Sequence, residues 1–216
     1  MTPKRVCTIL FFLAALTAAL GALPVPLGEI EIGLESFDGY QEGMAYLSTD
    51  EAGESLEILI AYKGFGLDTV TWVFSGADLA AMRDAAAKSA WWRSRLLEMT
   101  VDQTVTQDVA TTSPAVTYAY RASTYPFAST VHVLRFVRQG RDYALLMTED
   151  SQGAETKRSG DKTLPVFTVH FSGRELPVLR DALSEASMSE VLAAYAEKKA
   201  AIQEILAGGP EEDAGK

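Results

Sequence analysis

Apolar and polar residues alternate with a period of two along several short segments of the chain. The alternation is clearest at Leu56–Ile60 and Val131–Val137, and it is typical of β-strands that bury one face. Similar segments, separated by Gly, Asp and Gln-Gly breaks, predict four strands in each half. These strands are Glu29–Phe37, Gly43–Ser48, Leu56–Tyr62, Thr69–Phe74, Val116–Arg121, Val131–Arg138, Tyr143–Thr148 and Leu164–Phe171.

A helical spacing of apolar residues follows the last strand of each half. Leu79, Met82 and Ala86 share one helix face in the first half, as do Leu176, Leu179 and Leu183 in the second. A third helix is predicted over residues 187–207, with Ser187 as its N-cap and a Gly-Gly-Pro end. Its apolar stripe comprises Val191, Leu192, Tyr195, Ile202, Ile205 and Leu206.

The two strand–helix junctions repeat each other in sequence. Thr71–Ala85 and Thr168–Ala182 are identical at eight of fifteen positions, at an offset of 97 residues. Each copy places a serine, Ser75 or Ser172, before the helix, with an acid three residues later. That spacing is typical of a capping box, and the self-similarity indicates a duplicated unit.

The chain is therefore predicted to be an α+β protein in which two tandem β-β-β-β-α repeats form one pseudo-symmetric domain, followed by a C-terminal helix. The predicted organisation is repeat unit 1 over 23–98, a Thr-rich linker over 99–115 and repeat unit 2 over 116–186. Within the linker, Val101–Val109 alternates as a further strand would. The helix 187–207 and a disordered acidic tail, 208–216, complete the chain.

This element order, with the junctions Phe74-Ser75-Gly76 and Phe171-Ser172-Gly173, resembles the PUR-type repeat. In that family two β-β-β-β-α units interlock into one pseudo-symmetric domain. The resemblance implies this architecture over about Glu29 to Ala186. The family binds single-stranded nucleic acid through basic and aromatic strand faces, which an acidic chain does not offer. A plain α+β sandwich is the alternative architecture.

The first 22 residues are predicted to be a secretory signal peptide. Lys4 and Arg5 precede the apolar run Val6–Leu20, and small residues follow. Cleavage after Gly21 and cleavage after Ala22 both fit. An uncleaved membrane anchor is the alternative, but a spanning helix needs about 20 apolar residues and this run is shorter.

Cleavage would change both the charge and the cysteine content of the chain. Loss of Lys4 and Arg5 from 19 basic residues leaves 17 against 29 acidic residues, a formal charge of −12. This charge disfavours phosphate backbones and anionic membranes as partners. The only cysteine, Cys7, lies in the leader, so the mature chain is expected to use neither disulfides nor thiolates.

No motif in the sequence predicts a metal site, a cofactor site or a catalytic site. His132 and His170 are expected to be ordinary strand histidines, with a functional site as the alternative. Glu149-Asp150 and Glu211–Asp213 are expected to be solvated charges. No cofactor is predicted.

Adjacent tryptophans follow the first predicted helix. Side chains of neighbouring helical residues point about 100° apart, so Trp91 and Trp92 cannot easily face one core together. We expect either that one of them is exposed as a partner-binding anchor or that both seal the end of the helix. A protein partner or a small ligand is the partner class predicted.

The repeated Arg-Asp dipeptides suggest a contact between the two units. Under a pseudo-twofold axis, Arg83 would pair with Asp181 and Arg180 with Asp84. The alternative is a solvated face that both copies retain.

These observations favour an exported, non-catalytic binding or scaffold protein of a bacterial-type cell envelope. An envelope hydrolase, with a site assembled from scattered carboxylates and a histidine, is the alternative. Nucleic-acid binding is the third possibility, and both charge and export argue against it.

Overall fold

The structure is a computed structural model that describes residues 24–36, 39–62, 68–99, 103–120, 123–151, 154, 156–160 and 162–208. These residues form twelve strands and three helices, a mixed α+β architecture. The predicted signal peptide, residues 1–22, and all of the predicted acidic tail except Gly208 lie outside the described residues.

The strands and helices are numbered in chain order. The strands are β1 Val25–Ser36, β2 Gly39–Thr49, β3 Ser55–Tyr62, β4 Asp68–Ser75, β5 Val105–Thr112, β6 Ala115–Tyr120, β7 Ser123–Phe127, β8 His132–Gln139, β9 Asp142–Glu149, β10 Thr156–Ser159, β11 Lys162–Pro165 and β12 Thr168–Ser172. The helices are α1 Gly76–Glu98, α2 Leu176–Leu183 and α3 Glu185–Gly208.

Ten of these strands form one antiparallel sheet in the order β5-β8-β9-β12-β1-β2-β3-β4-β6-β7. Two blocks of four strands therefore lie side by side, and β12 pairs with β1 where the blocks meet. The β6–β7 hairpin extends the sheet beyond β4. Strands β10 and β11 form a separate hairpin.

The strand pattern of the first half is confirmed, and each strand is longer than predicted. The second half differs from the prediction of four strands. Strand β5 lies in the predicted linker, where the alternation of Val101–Val109 indicated a further strand, and β7 and β10 were not predicted. The strand predicted at residues 116–121 is β6, which pairs with β4 of the first block rather than with the second block.

The predicted strand Leu164–Phe171 is in fact two strands. Strand β11 ends at Pro165 and pairs only with β10, whereas β12 begins at Thr168 and joins the large sheet. Proline has no N–H group to donate to a ladder, so within a sheet it is confined to edge strands, strand ends and bulges. Pro165 should therefore have marked this break in the sequence pattern.

Helix α1 packs on one face of the sheet through small and apolar side chains. Leu79, Met82, Ala85, Ala86, Ser89 and Ala90 are buried at helical spacing. Phe74 of β4 and Phe171 of β12 belong to the same core and are fully buried. The alanines let the helix backbone approach the sheet closely, which large side chains would prevent.

The side-chain hydrogen bonds of the two predicted capping boxes are not formed in the described residues, so this prediction is wrong. Ser75 is the N-cap residue of α1, but its side chain makes no capping bond. Asp78 instead accepts the backbone N–H of Ser113 at 2.8 Å. In the second copy a turn follows Ser172, in which the Glu175 N–H donates to the Ser172 carbonyl, and α2 begins only at Leu176.

Helix α3 begins two residues earlier than predicted and ends one residue later. Its cap is Ser184 rather than Ser187, because the Ser184 hydroxyl accepts the Ser187 N–H at 3.2 Å. The first turns of α3 bury Met188, whereas Ile202, Ile205 and Leu206 are exposed near its end. Among the described residues, no helix has the length and apolar character required to cross a bilayer.

Candidate functional site

Two neighbouring tryptophans on α1 have opposite environments. Trp91 is 57% exposed, whereas Trp92 packs against the core with its ring centroid 5.5 Å from that of Phe136. The first of the two expectations, that one tryptophan is exposed, is confirmed. Whether Trp91 binds a partner remains a prediction.

A charged side chain of the same helix lies beside the exposed Trp91 ring. The Arg95 guanidinium lies 5.7 Å from the centre of the Trp91 ring, and Arg95 Nη1 is 3.3 Å from Glu98 Oε2. Cation–π contacts at exposed sites contribute about 0.5–1 kcal/mol. Trp91, Arg95 and Glu98 therefore form a surface stripe of neighbouring side chains, which we call the tryptophan stripe.

The predicted reciprocal Arg–Asp pairs are not formed among the described residues. Asp84 pairs with Lys88 at 2.6 Å and Arg180 pairs with its neighbour Asp181 at 2.7 Å. The Arg83 guanidinium lies 2.9 Å from the sulfur of Met188 on α3. Although α1 and α2 pack together, Asp84, Arg180 and Asp181 have nearer charged partners within their own helices.

His170 lies on the face of the sheet opposite α1, in a small polar cluster. Its Nε2 atom is 2.9 Å from Glu35 Oε2 on the adjacent strand β1. The Tyr40 ring meets the His170 ring edge-on, with centroids 5.6 Å apart. Gly33 makes this arrangement compatible with the strand, because a Cβ atom there would overlap the Tyr40 ring.

His132, the other histidine, belongs to a buried charged cluster. It lies directly opposite Glu149 in the β8–β9 ladder, and His132 Nε2 is 4.0 Å from Glu149 Oε2. Lys157 Nζ of β10 is 2.6 Å from the same Glu149 oxygen and donates to Thr130 Oγ1 at 3.1 Å. The side chains of His132, Glu149 and Lys157 are 1%, 4% and 11% exposed.

The protonation state of His132 follows from its partners. Its Nδ1 atom is 3.0 Å from the Thr130 carbonyl, which can only accept, so Nδ1 carries the proton. Burial lowers the pKa of His132 below its ordinary value, and Lys157 adds to this effect. The Thr130 carbonyl, Glu149 and Asp78 oppose the lowering. The neutral ring is therefore the favoured form near pH 7.

From the sequence, Glu149 is expected to be a solvated charge, and no cluster with His132 and Lys157 is predicted. That expectation is wrong, since Glu149 is a buried residue of β9. The available signal was the alternation of Tyr143, Leu145 and Met147, which puts position 149 on the same buried face. Lys157 gave no comparable signal, because a separate hairpin brings it to Glu149 from outside the sheet.

The described residues contain no group of three or more His, Cys, Asp or Glu side chains placed to hold a metal ion. Comparison with protein-family models, with curated proteins and with solved structures finds no match to this chain.

Proposed function

We propose that this chain is an exported, non-catalytic binding or scaffold protein of a bacterial-type cell envelope, and that the tryptophan stripe contacts its protein partner. The observation that carries the proposal is the environment of Trp91. More than half of this large aromatic side chain is exposed while Trp92 beside it is packed. Folding therefore does not require Trp91 to be a tryptophan.

The composition of the stripe supports this role. Tryptophan and arginine are the residue types most enriched at binding hot spots. Arg95 lies beside the exposed Trp91 ring, so the stripe offers a partner both an aromatic surface and a charged group. The exposed apolar end of α3, with Ile202, Ile205 and Leu206, offers a second contact area.

Replacing Trp91 by alanine should remove most binding to the partner. We expect a photoreactive amino acid at Ala87, one turn before Trp91 on the exposed side of α1, to cross-link a discrete partner in envelope preparations. Trp91→Ala should lower the cross-linked yield about tenfold or more, as expected for a hot-spot residue. The yield is quantified on immunoblots and the partner is identified by mass spectrometry.

Leu97→Ala is the matched control for this experiment. Leu97 is 56% exposed on the same helix, about 120° around its axis from Trp91, and its loss should leave the yield unchanged. An equal loss in both variants would contradict a specific role for Trp91. So would a cross-linked product that persists at full yield in Trp91→Ala.

Export and acidity support the proposed location and partner class. The leader-like order of residues 1–22 directs the chain out of the cytoplasm. The formal charge of −12 in the predicted mature chain works against nucleic acid and anionic lipid. A protein partner or a small ligand fits these properties best.

We infer as well that the two strand blocks derive from a duplicated β-β-β-β-α unit. The support is the identity of Thr71–Ala85 with Thr168–Ala182 at eight positions. In addition, both segments run from an inner strand into a helix, β4 into α1 and β12 into α2. In this interpretation β6, β7 and the β10–β11 hairpin are additions to the second unit.

An envelope hydrolase is the second candidate, and the His170–Glu35 pair favours it. A carboxylate that orients a histidine 2.9 Å away is a common general-base arrangement, and the His170 side chain is partly exposed. If this candidate is correct, hydrolysis of ester, amide or glycan substrates from the envelope should fall at least 100-fold in His170→Gln. The rate should not change in Trp91→Ala. A lack of turnover in the unaltered protein would remove this candidate.

A further inference from the structure

The β10–β11 hairpin contacts strands that are far apart in the order of the large sheet. It is inserted between β9 and β12, yet β10 contacts β7 at the far edge of the sheet. The hairpin therefore contacts β7 at one edge of the sheet and Glu149 of β9 near the other edge, so the sheet must curve. Leu164 of β11 is buried in the common core, which gives the closed arrangement an apolar contact.

Lys157 is the charged link between this hairpin and the sheet. Its ammonium group contacts Glu149 Oε2 and Thr130 Oγ1, both of which belong to the chain around β8 and β9. His132 and Glu149 are cross-strand neighbours in the ladder, so neither can leave without breaking the sheet. Of the three side chains, Lys157 has the freest path to water, because the described residues of its hairpin form no ladder with the large sheet.

The charge balance of the cluster depends on the state of His132. With a neutral ring, the Lys157 ammonium and the Glu149 carboxylate compensate each other. A protonated His132 would be a second cation facing the same Glu149 oxygen, 4.0 Å away. Asp78 of α1 is the other charged group that acts on His132, and it already accepts the Ser113 N–H.

We propose that His132, Glu149 and Lys157 form an acid-operated latch, in which protonation of His132 displaces Lys157 from Glu149 and releases the β10–β11 hairpin from β7. The protonated His132 ring, which already lies opposite Glu149 in the β8–β9 ladder, then becomes the cation that pairs with the Glu149 carboxylate. Protonation adds a positive charge to a cluster in which Lys157 and Glu149 already compensate each other, and an additional charge in a buried site is costly. The ammonium group with the shortest path to water is the one that leaves.

The linkage between proton binding to His132 and opening of the hairpin determines how pH shifts the equilibrium between the closed and open states. Burial and the nearby ammonium group lower the pKa of His132 in the closed state. Opening the hairpin hydrates the ring and removes Lys157, so the open state binds the proton more tightly. Acid must then favour the open state. Burial of Leu164 also opposes opening, so the hairpin stays closed near neutral pH as long as Lys157 holds Glu149.

A distance measurement between the hairpin and β7 tests the latch in the exported protein. Residues 24 to 216 contain no cysteine, so spin labels attach only to introduced ones. Arg158→Cys on β10 and Thr124→Cys on β7 place labels at exposed positions. At pH 7.5 we expect one short distance, and at pH 5.0 a reversible shift to longer, broader distances. A distance that is unchanged at pH 5.0 overturns the proposal.

Three variants separate the latch from general acid unfolding. His132→Gln should keep the short distance at both pH values, whereas His170→Gln should behave like the unaltered protein. Lys157→Gln should show the long distance already at pH 7.5. If His132→Gln does not fold, the distance measured in Lys157→Gln still tests the latch. A short distance in Lys157→Gln at pH 7.5 contradicts the latch, as does an equal acid shift in His132→Gln.

A second label pair monitors the sheet itself. Thr106→Cys on β5 and Arg141→Cys in the β8–β9 turn are both exposed and lie within one strand block. Their distance should be the same at pH 7.5 and pH 5.0. If it lengthens together with the hairpin distance, acid unfolds the block as a whole and the proposal is wrong.

Discussion

Replacing Phe171 by alanine should lower the free energy of unfolding by about 3–5 kcal/mol, which is the usual cost of removing a buried phenylalanine side chain. Phe171 is fully buried in β12, between β9 and β1. Its loss would leave a cavity where the two strand blocks meet, and sheet ladders on both sides prevent the cavity from collapsing. Urea unfolding followed by circular dichroism measures the change.

Phe74→Ala and Val178→Ala complete the comparison. Phe74 occupies the equivalent place in the first copy of the repeated segment and is also fully buried, so we expect a loss of similar size. Val178 is 48% exposed on α2, and its truncation should cost less than about 1 kcal/mol. A small loss in Phe171→Ala would show that β12 does not hold the two blocks together.

The second large effect is a fall in stability as the pH decreases below about 6.5, the ordinary pKa of histidine. Because burial lowers the pKa of His132 in the native state, the unfolded chain takes up a proton before the native chain does. Stability from this group is therefore complete above pH 6.5 and decreases below it. The decrease is at most about 1.4 kcal/mol per pH unit for one proton, and it levels off once the native histidine is protonated.

The difference between the unaltered protein and His132→Gln isolates this contribution. Urea unfolding at pH 7.5, 6.5, 5.5 and 5.0 should show a steeper loss in the unaltered protein than in His132→Gln. His170→Gln should retain the steep loss. Parallel pH profiles for the unaltered protein and His132→Gln would show that His132 does not contribute to acid sensitivity. Opening of the proposed latch would make the free energy of unfolding fall less steeply with decreasing pH, because the folded protein with an open hairpin would also bind the proton.

The strands of the first half were predictable because each is followed directly by its neighbour in the sheet. Strands β1 to β4 pair in chain order, so local alternation and turn residues carry most of the information. In the second half, β5 pairs with β8 and β12 pairs with β1. Such pairings join segments that are distant in sequence, and a local pattern of hydrophobicity does not specify them.

The candidate sites, too, were only partly predictable from local sequence. The sequence left two environments open for the adjacent tryptophans, either one exposed ring or both rings sealing the end of the helix. It could not predict which one would face Phe136. The reciprocal Arg–Asp pairs failed because close partners within each helix, such as Lys88 for Asp84, are available before any contact between helices forms.

By itself the sequence determined the α+β class, the helix positions, the repeated strand–helix junction and the placement of both histidines in strands. These properties follow from periodicity and turn chemistry over a few residues. The tertiary structure decided the ten-stranded order, the exposure of Trp91 and the burial of Glu149 with His132 and Lys157. Those properties depend on which distant segments exclude water from each other, and that is set by packing the whole chain.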